Sequence, residues 1–237
     1  MECKKLWHPP THVCSNWGKR FNLKFVLYLQ NYVFNRKESE YLTPTATSVG
    51  TLPATLKNDK TTTYVKKKKH IGQLISVKFT DRKTPIYGYV VDYNDDWTLM
   101  KYNPVDYIID GYIIFRHKNI EGFRRDVDEK WREKVINLKG LQPTEKDIIP
   151  LTDLETILRH LTDNFEVFQV YTKSETACYL GRLKSIDKKE LVMDDLNPKG
   201  KWEGQMKFRI GDIRVIEFDT DYINSLKLVS TIKKTKK

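Results

Sequence analysis

The feature that most constrains this chain is an internal duplication. The stretch from Gly88 to Ile120 recurs from Gly181 to Ile213. Gly88, Gly111, Arg116 and Ile120 each have an identical residue 93 positions later, at Gly181, Gly204, Arg209 and Ile213. The Asn103-Pro104 and Asn197-Pro198 pairs lie 94 apart, so each copy carries one small loop adjustment. A period this long exceeds that of solenoid repeats and fits duplication of a whole folding unit. A chain of 237 residues has room for two such units.

Within the first copy the hydrophobic pattern reads as short strands. Ile71–Phe79 alternates apolar and polar, as a half-buried strand does. Ile86–Tyr93 and Trp97–Tyr102 follow, separated by Asn94-Asp95-Asp96, which is turn chemistry. Tyr107–Arg116 is interrupted by the hairpin signal Asp110-Gly111, and Ile120–Phe123 comes last. The second copy predicts strands at Phe165–Thr172, Ala177–Ile186, Leu191–Asp194, Trp202–Arg209 and Ile213–Phe218. Five short strands per copy are expected to close into a small barrel, because closure removes exposed sheet edges.

Helices are expected between and after the copies. Over Asp126–Lys139, the residues Val127, Trp131, Val135 and Leu138 fall on one stripe, and Gly140 suits the stop. Thr152-Asp153-Leu154-Glu155 reads as a capping box with Thr as the cap. It opens a helix to Leu161 whose inner face is Leu154, Ile157, Leu158 and Leu161. Asp219–Val229 is a terminal helix. The domain plan is therefore a basic, largely disordered extension over 1–70, a first barrel with its helix over 71–140, a helix with the second barrel over 151–230, and a basic tail over 231–237. Residues 36–69 are rich in Thr, Ser, Lys and Pro, a composition too poor in apolar surface to offset ordering entropy.

The net charge of +11 suggests nucleic acid until it is located. Residues 1–70 carry +9 and 231–237 carry +4, whereas 71–144 carry +1 and 145–230 carry −3. The excess is in the ends, so phosphate binding by the folded copies is discounted as the first reading. Cys3, Cys14 and Cys178 form no disulfide framework, which fits a reducing, cytoplasmic setting. No apolar run is long enough for a membrane span, and no membrane partner is expected. Cys3, His8, His12 and Cys14 have the residue types of a zinc site without finger spacing, so no metal is expected.

With their core Asp96-Trp97 and Asp110-Gly111-Tyr112, the repeated segments resemble the Sm-like (SH3-like) small-barrel family, and more closely uncharacterised bacterial tandem-barrel proteins. Gly88-x-Val90, Asn94-Asp95-Asp96-Trp97-x-Leu99 and their counterparts Gly181-x-Leu183, Asp187 and Leu191-x-Met193 follow that family's first motif. Ile114-Phe115-Arg116 and Phe208-Arg209-Ile210-Gly211-Asp212-Ile213 follow part of its second, with His117 where the family has Gly. The resemblance implies two tandem Sm-like barrels over about Ile71 to Val229, and no particular activity.

Candidate chemistry is sparse. Cys178 begins an apolar strand, where a buried inert thiol is expected. Asp92, Asp95, Asp96 and Asp194-Asp195 flank strands, where Asp serves turns. Neither a catalytic set nor a cofactor motif is found. The candidate binding residues are Asn94, Trp97, Arg116, Lys118 and Arg209, at loops that a small barrel would bring together. An exposed Trp can stack a base while Arg holds phosphate; the competing reading makes Trp97 core and pairs the arginines with neighbouring carboxylates. The expected function is a non-enzymatic interaction module that binds a protein or self-associates through barrel edges. RNA binding is the alternative.

Overall fold

The computed structural model describes residues 70–143, 149–173, 175 and 177–234. The expected extension, the Cys3/His8/His12/Cys14 group and the end of the tail lie outside these residues. Ten strands form, β1 Leu74–Phe79, β2 Ile86–Tyr93, β3 Trp97–Tyr102, β4 Tyr112–Arg116, β5 Ile120–Arg124, β6 Phe168–Tyr171, β7 Cys178–Ile186, β8 Glu190–Leu196, β9 Trp202–Arg209 and β10 Val215–Phe218. Three helices accompany them, α1 Val127–Leu138, α2 Leu154–Phe165 and α3 Asp221–Lys234.

The duplication is visible strand by strand. Gly88 faces Tyr102 across β2–β3, and Gly181 faces Asp195 across β7–β8. A bulge interrupts both pairs at equivalent places, between Val90 and Asp92 and between Leu183 and Ser185. A Cβ at Gly88 would run into the carbonyl oxygen of Lys101, and one at Gly181 into that of Asp194. Glycine is required at both because the backbone of the next strand passes there.

Two separate closed barrels are not what these repeats build. All ten strands belong to one open antiparallel sheet, in the order β5-β1-β2-β3-β4-β10-β6-β7-β8-β9. The reason is β10, which pairs with β6 of its own copy on one side and with β4 of the other copy on the other. Ile216 lies opposite Ile114 in one register and opposite Val170 in the other. The edge that closure would have sealed within one copy is bonded across the two.

Packing follows the same logic. Strands β3 and β6 are buried over WTLM and FQVY, and β4 over IIF, with no outward polar alternation. Such two-sided burial marks central strands. Alternate residues feed two cores. One joins Val91, Trp97, Leu99 and Ile114 to the inner face of α2 and to Phe168 and Ile216. The other joins Ile75, Val77, Met100 and Phe115 to Tyr171 and Val215. Each of these two cores contains residues of both copies, while smaller clusters stay within one copy, Leu74, Tyr89 and Ile136 in the first and Val167, Leu180, Leu196, Ile223 and Leu226 in the second.

The helices need two further corrections. Of the stripe Val127, Trp131, Val135 and Leu138, Val135 is half-buried and the other three face solvent. Helix α1 instead docks through Glu129 and Ile136. Glu129 accepts from the Ser76 hydroxyl at 2.8 Å, and Glu133 accepts from the Leu74 amide at 2.7 Å. Gly140 has φ +68, the left-handed stop that its position suggested. At α2 the cap is Asp153 rather than Thr152, accepting from the Thr156 amide at 2.8 Å, and the helix runs on to Phe165. Its inner face is as expected, with Leu154, Ile157, Leu158 and Leu161 all buried.

Candidate functional site

Four of the five candidate residues, Asn94, Trp97, Arg116 and Lys118, lie around the β2–β3 and β4–β5 turns, and Arg209 ends β9, opposite Glu190. Asn94 is committed to local structure. Its Oδ1 accepts from the amides of Asp96 and Trp97 at 2.9 and 2.7 Å, and its Nδ2 donates to the Leu151 carbonyl. Trp97 is only 2% exposed and belongs to the core beneath α2, so it has no face for stacking a base. Its partner across the β3–β4 ladder is Arg116, whose guanidinium sits 5.3 Å from the ring centroid.

The β4–β5 turn is pinned from several sides. The His117 amide donates to the Asp96 carbonyl at 2.8 Å. The His117 ring contacts the Asp95 carbonyl through Nδ1 and the Thr98 hydroxyl through Nε2, both at 2.7 Å. A carbonyl only accepts, so Nδ1 carries the proton, and in the neutral ring Nε2 accepts from Thr98. Arg214, 5% exposed, donates to the Lys118 carbonyl at 2.9 Å and pairs with Asp81 at 2.8 Å. That second-copy arginine locks a first-copy turn.

Lys118 and Arg209 both act electrostatically on Asp212, a residue that sequence reasoning passed over. The bond from Lys173 holds the Asp212 carboxyl below its ordinary range, and the fields of Arg209 and Lys118 add to this. The Lys173 Nζ to Asp212 distance is 2.8 Å. Asp212 thus pairs with Lys173 and feels the charge of Arg209 from its own copy and of Lys118 from the other. Of the flanking acids, Asp194 pairs with Arg182 at 3.2 Å. Among the described residues, no group of three or more His, Cys, Asp or Glu side chains is placed to hold a metal ion.

A second constellation also went unseen in the sequence. Glu217 on β10 lies beside Tyr171, which donates to its Oε2 at 3.3 Å, and Gln169 donates to the Tyr171 hydroxyl at 2.6 Å. Desolvation pushes the Glu217 carboxyl up to about 7, with Arg82 and the Tyr171 bond pulling the other way. Burial also raises the Tyr102 and Tyr171 phenols and pushes the Cys178 thiol up to about 11. The thiol is thus a poor nucleophile. The sequence signal for Glu217 was a lone acid inside the apolar run Val215-Ile-Glu-Phe218.

The two outer edges of the sheet differ from its joined centre. Strand β9 is the copy of β4. Gly111, just before β4, has φ +62, and a Cβ there would meet the backbone of Phe218 to Thr220 at 2.6 Å. Gly204 has φ +64 and nothing within 4 Å of the same point. Where β4 is covered by β10, no described strand covers the outer edge of β9. Its eight residues are exposed or half-buried, with Glu203, Gln205, Lys207 and Arg209 exposed in alternation. No helix among the described residues is long and apolar enough to cross a membrane. No protein-family model, curated protein or solved structure matches the chain.

Proposed function

We propose that the chain is a non-catalytic, cytoplasmic interaction protein that accepts an extended strand of a protein partner, or of a second copy, along the free edge of β9. The observation that carries this reading is the contrast between copies. The edge of β4 receives β10, whereas the equivalent edge of β9 is open among the described residues. A strand added there gains main-chain hydrogen bonds for affinity, and alternate side chains give specificity. Lys207 and Arg209 favour acidic side chains on the incoming strand, and Met206 and Phe208, half-buried, offer apolar contact. The test is a photoreactive side chain at Gln205, irradiated in extract of the native host. A discrete adduct, or a covalent dimer of the chain, is expected. Absence of both would remove the reading.

A second reading, an RNA-binding regulator, draws on Lys118, Lys173 and Arg209, whose charges all act on Asp212. Its signature is an affinity for single-stranded RNA that falls steeply with salt and weakens when Lys118 and Arg209 are replaced by Glu. No binding at low salt excludes it.

A further inference from the structure

Helix α1 is tied down by its polar face and presents its apolar one. Val127, Trp131 and Leu138 are 79%, 54% and 80% exposed. At 3.6 residues per turn they lie roughly opposite Glu129, Glu133 and Ile136, which hold the helix to β1. Tyr107 extends the patch. Its hydroxyl accepts from the Trp131 indole nitrogen at 3.2 Å, and its carbonyl accepts from Lys139 at 2.9 Å. Cations border the stripe. Lys134 lies 5.7 Å from the Trp131 ring centroid, and Lys130 and Lys139 are exposed on the same helix. With its caps counted, as Lys139 is, the helix has two exposed acids, Asp126 and Asp128. In the sequence, Lys66 to Lys69 immediately precede His70, which leads into β1, the strand that α1 packs on.

An isolated exposed Leu needs no explanation; a Trp, Val and Leu aligned on one helix face do. We propose that this stripe is a docking surface for an anionic lipid bilayer. The helix lies in the plane of the interface. Val127, Trp131 and Leu138 enter the boundary between headgroups and acyl chains, and Lys130, Lys134 and Lys139 face lipid phosphates. Three features select a bilayer over other occupants. The surface is a convex helix face rather than a groove. Its border is cationic, so a second copy would oppose like charges. Its aromatic pair carries polar tips, as side chains at headgroup depth do. Short apolar contact alone gives marginal attachment, and Lys130, Lys134 and Lys139 supply the electrostatic second signal that stable binding needs. The proposal concerns a surface and not a span, and it departs from the expectation of no membrane partner. It does not rest on the β9 reading.

The test is co-sedimentation of the full chain with vesicles of phosphatidylcholine containing phosphatidylserine, beside vesicles of phosphatidylcholine alone. Binding is expected to the anionic vesicles and to weaken with added salt. Replacing Trp131 and Leu138 together by Glu is expected to lower it by at least about tenfold, since both side chains leave the acyl boundary. The variant should melt at the temperature of the parent, because neither side chain is in the core. Lys130→Glu with Lys134→Glu should weaken binding to anionic vesicles and leave folding intact. No binding by the parent chain overturns the proposal, as does equal binding by the Trp131/Leu138 variant, which would assign attachment to the lysine run alone. A parent dimer that the same variant dissociates would assign the stripe to a second copy and also overturn it.

Discussion

Helices α1 and α2 are each 12 residues long, and they use their apolar stripes in opposite ways. Helix α2 buries Leu154, Ile157, Leu158 and Leu161 against the sheet. Helix α1 buries Glu129 and Ile136 and leaves Val127, Trp131 and Leu138 in solvent. The difference teaches that periodicity tells which side chains share a face, while the docking surface decides which face is used. Beneath α2 lie Phe168, Leu183 and Leu191, whose contact is mainly apolar, with one hydrogen bond from the Leu183 amide to the Thr162 hydroxyl at 3.2 Å. Beneath α1 lie the Leu74 amide, the Ser76 hydroxyl and Arg125, each satisfied by a carboxylate of the helix. Burying those polar groups without partners would cost more than exposing three apolar side chains.

The largest expected effect is in α2. Leu158→Ala removes a fully buried side chain from a core shared by both copies and should cost about 2–5 kcal/mol in chemical denaturation. The comparison breaks if the loss is no greater than that of Leu138→Ala in α1, which should stay within about 0.5 kcal/mol. Between these lies Glu129→Ala. It strands the Ser76 hydroxyl and the Asp126 amide, both now bonded to Glu129 at 2.8 Å, and should cost about 1–3 kcal/mol. A neutral result would mean that the carboxylates do not anchor the helix.

Glu217 sharpens the contrast from the sheet side, as a desolvated carboxyl that accepts from the Tyr171 hydroxyl over a long 3.3 Å. Its folded pKa lies above its ordinary value, so the folded state binds the extra proton. Stability from this group is therefore full below the ordinary carboxylate range and is lost as pH rises to about 7. The expected loss is on the order of 3 kcal/mol, since each unit of displacement is worth roughly 1.4 kcal/mol. Denaturation midpoints from pH 4 to pH 8 should show the fall in the parent and its absence in Glu217→Gln. A slope that survives in the variant assigns it elsewhere.

Much of the local structure was legible in the sequence. Strands β2, β3 and β9 begin and end where the pattern placed them, because Asn94-Asp95-Asp96 and similar turn residues bracket them. The duplication was legible too, down to the two glycines. What could not be read was how the copies join. The strand at Val215–Phe218 carries no mark of having two partners, since main-chain pairing leaves no side-chain signature. The one clue was composition: Trp97-Thr-Leu-Met100 and Tyr112-Ile-Ile-Phe115 are apolar on both faces, where a barrel with a wet outside requires alternation. Of the candidate site, Asn94 was placed correctly at a turn. The action of both Lys118 and Arg209 on Asp212 depends on β10 and could not be derived within one copy. The motif match set Trp97 beside Leu191, yet the ladder makes it the counterpart of Glu190, opposite Arg209 as Trp97 is opposite Arg116. It is buried among Val91, Leu99 and Ile114 of its own copy together with the inner face of α2.

The most direct test of the joined sheet is native-state hydrogen exchange of the amides in β3, β4, β10 and β6. If β10 binds the copies into one unit, the slowest amides of all four strands open with a single common free energy, and Ile216→Pro lowers it equally on both sides. Two distinct opening energies, with β3 and β4 indifferent to Ile216→Pro, would contradict the account.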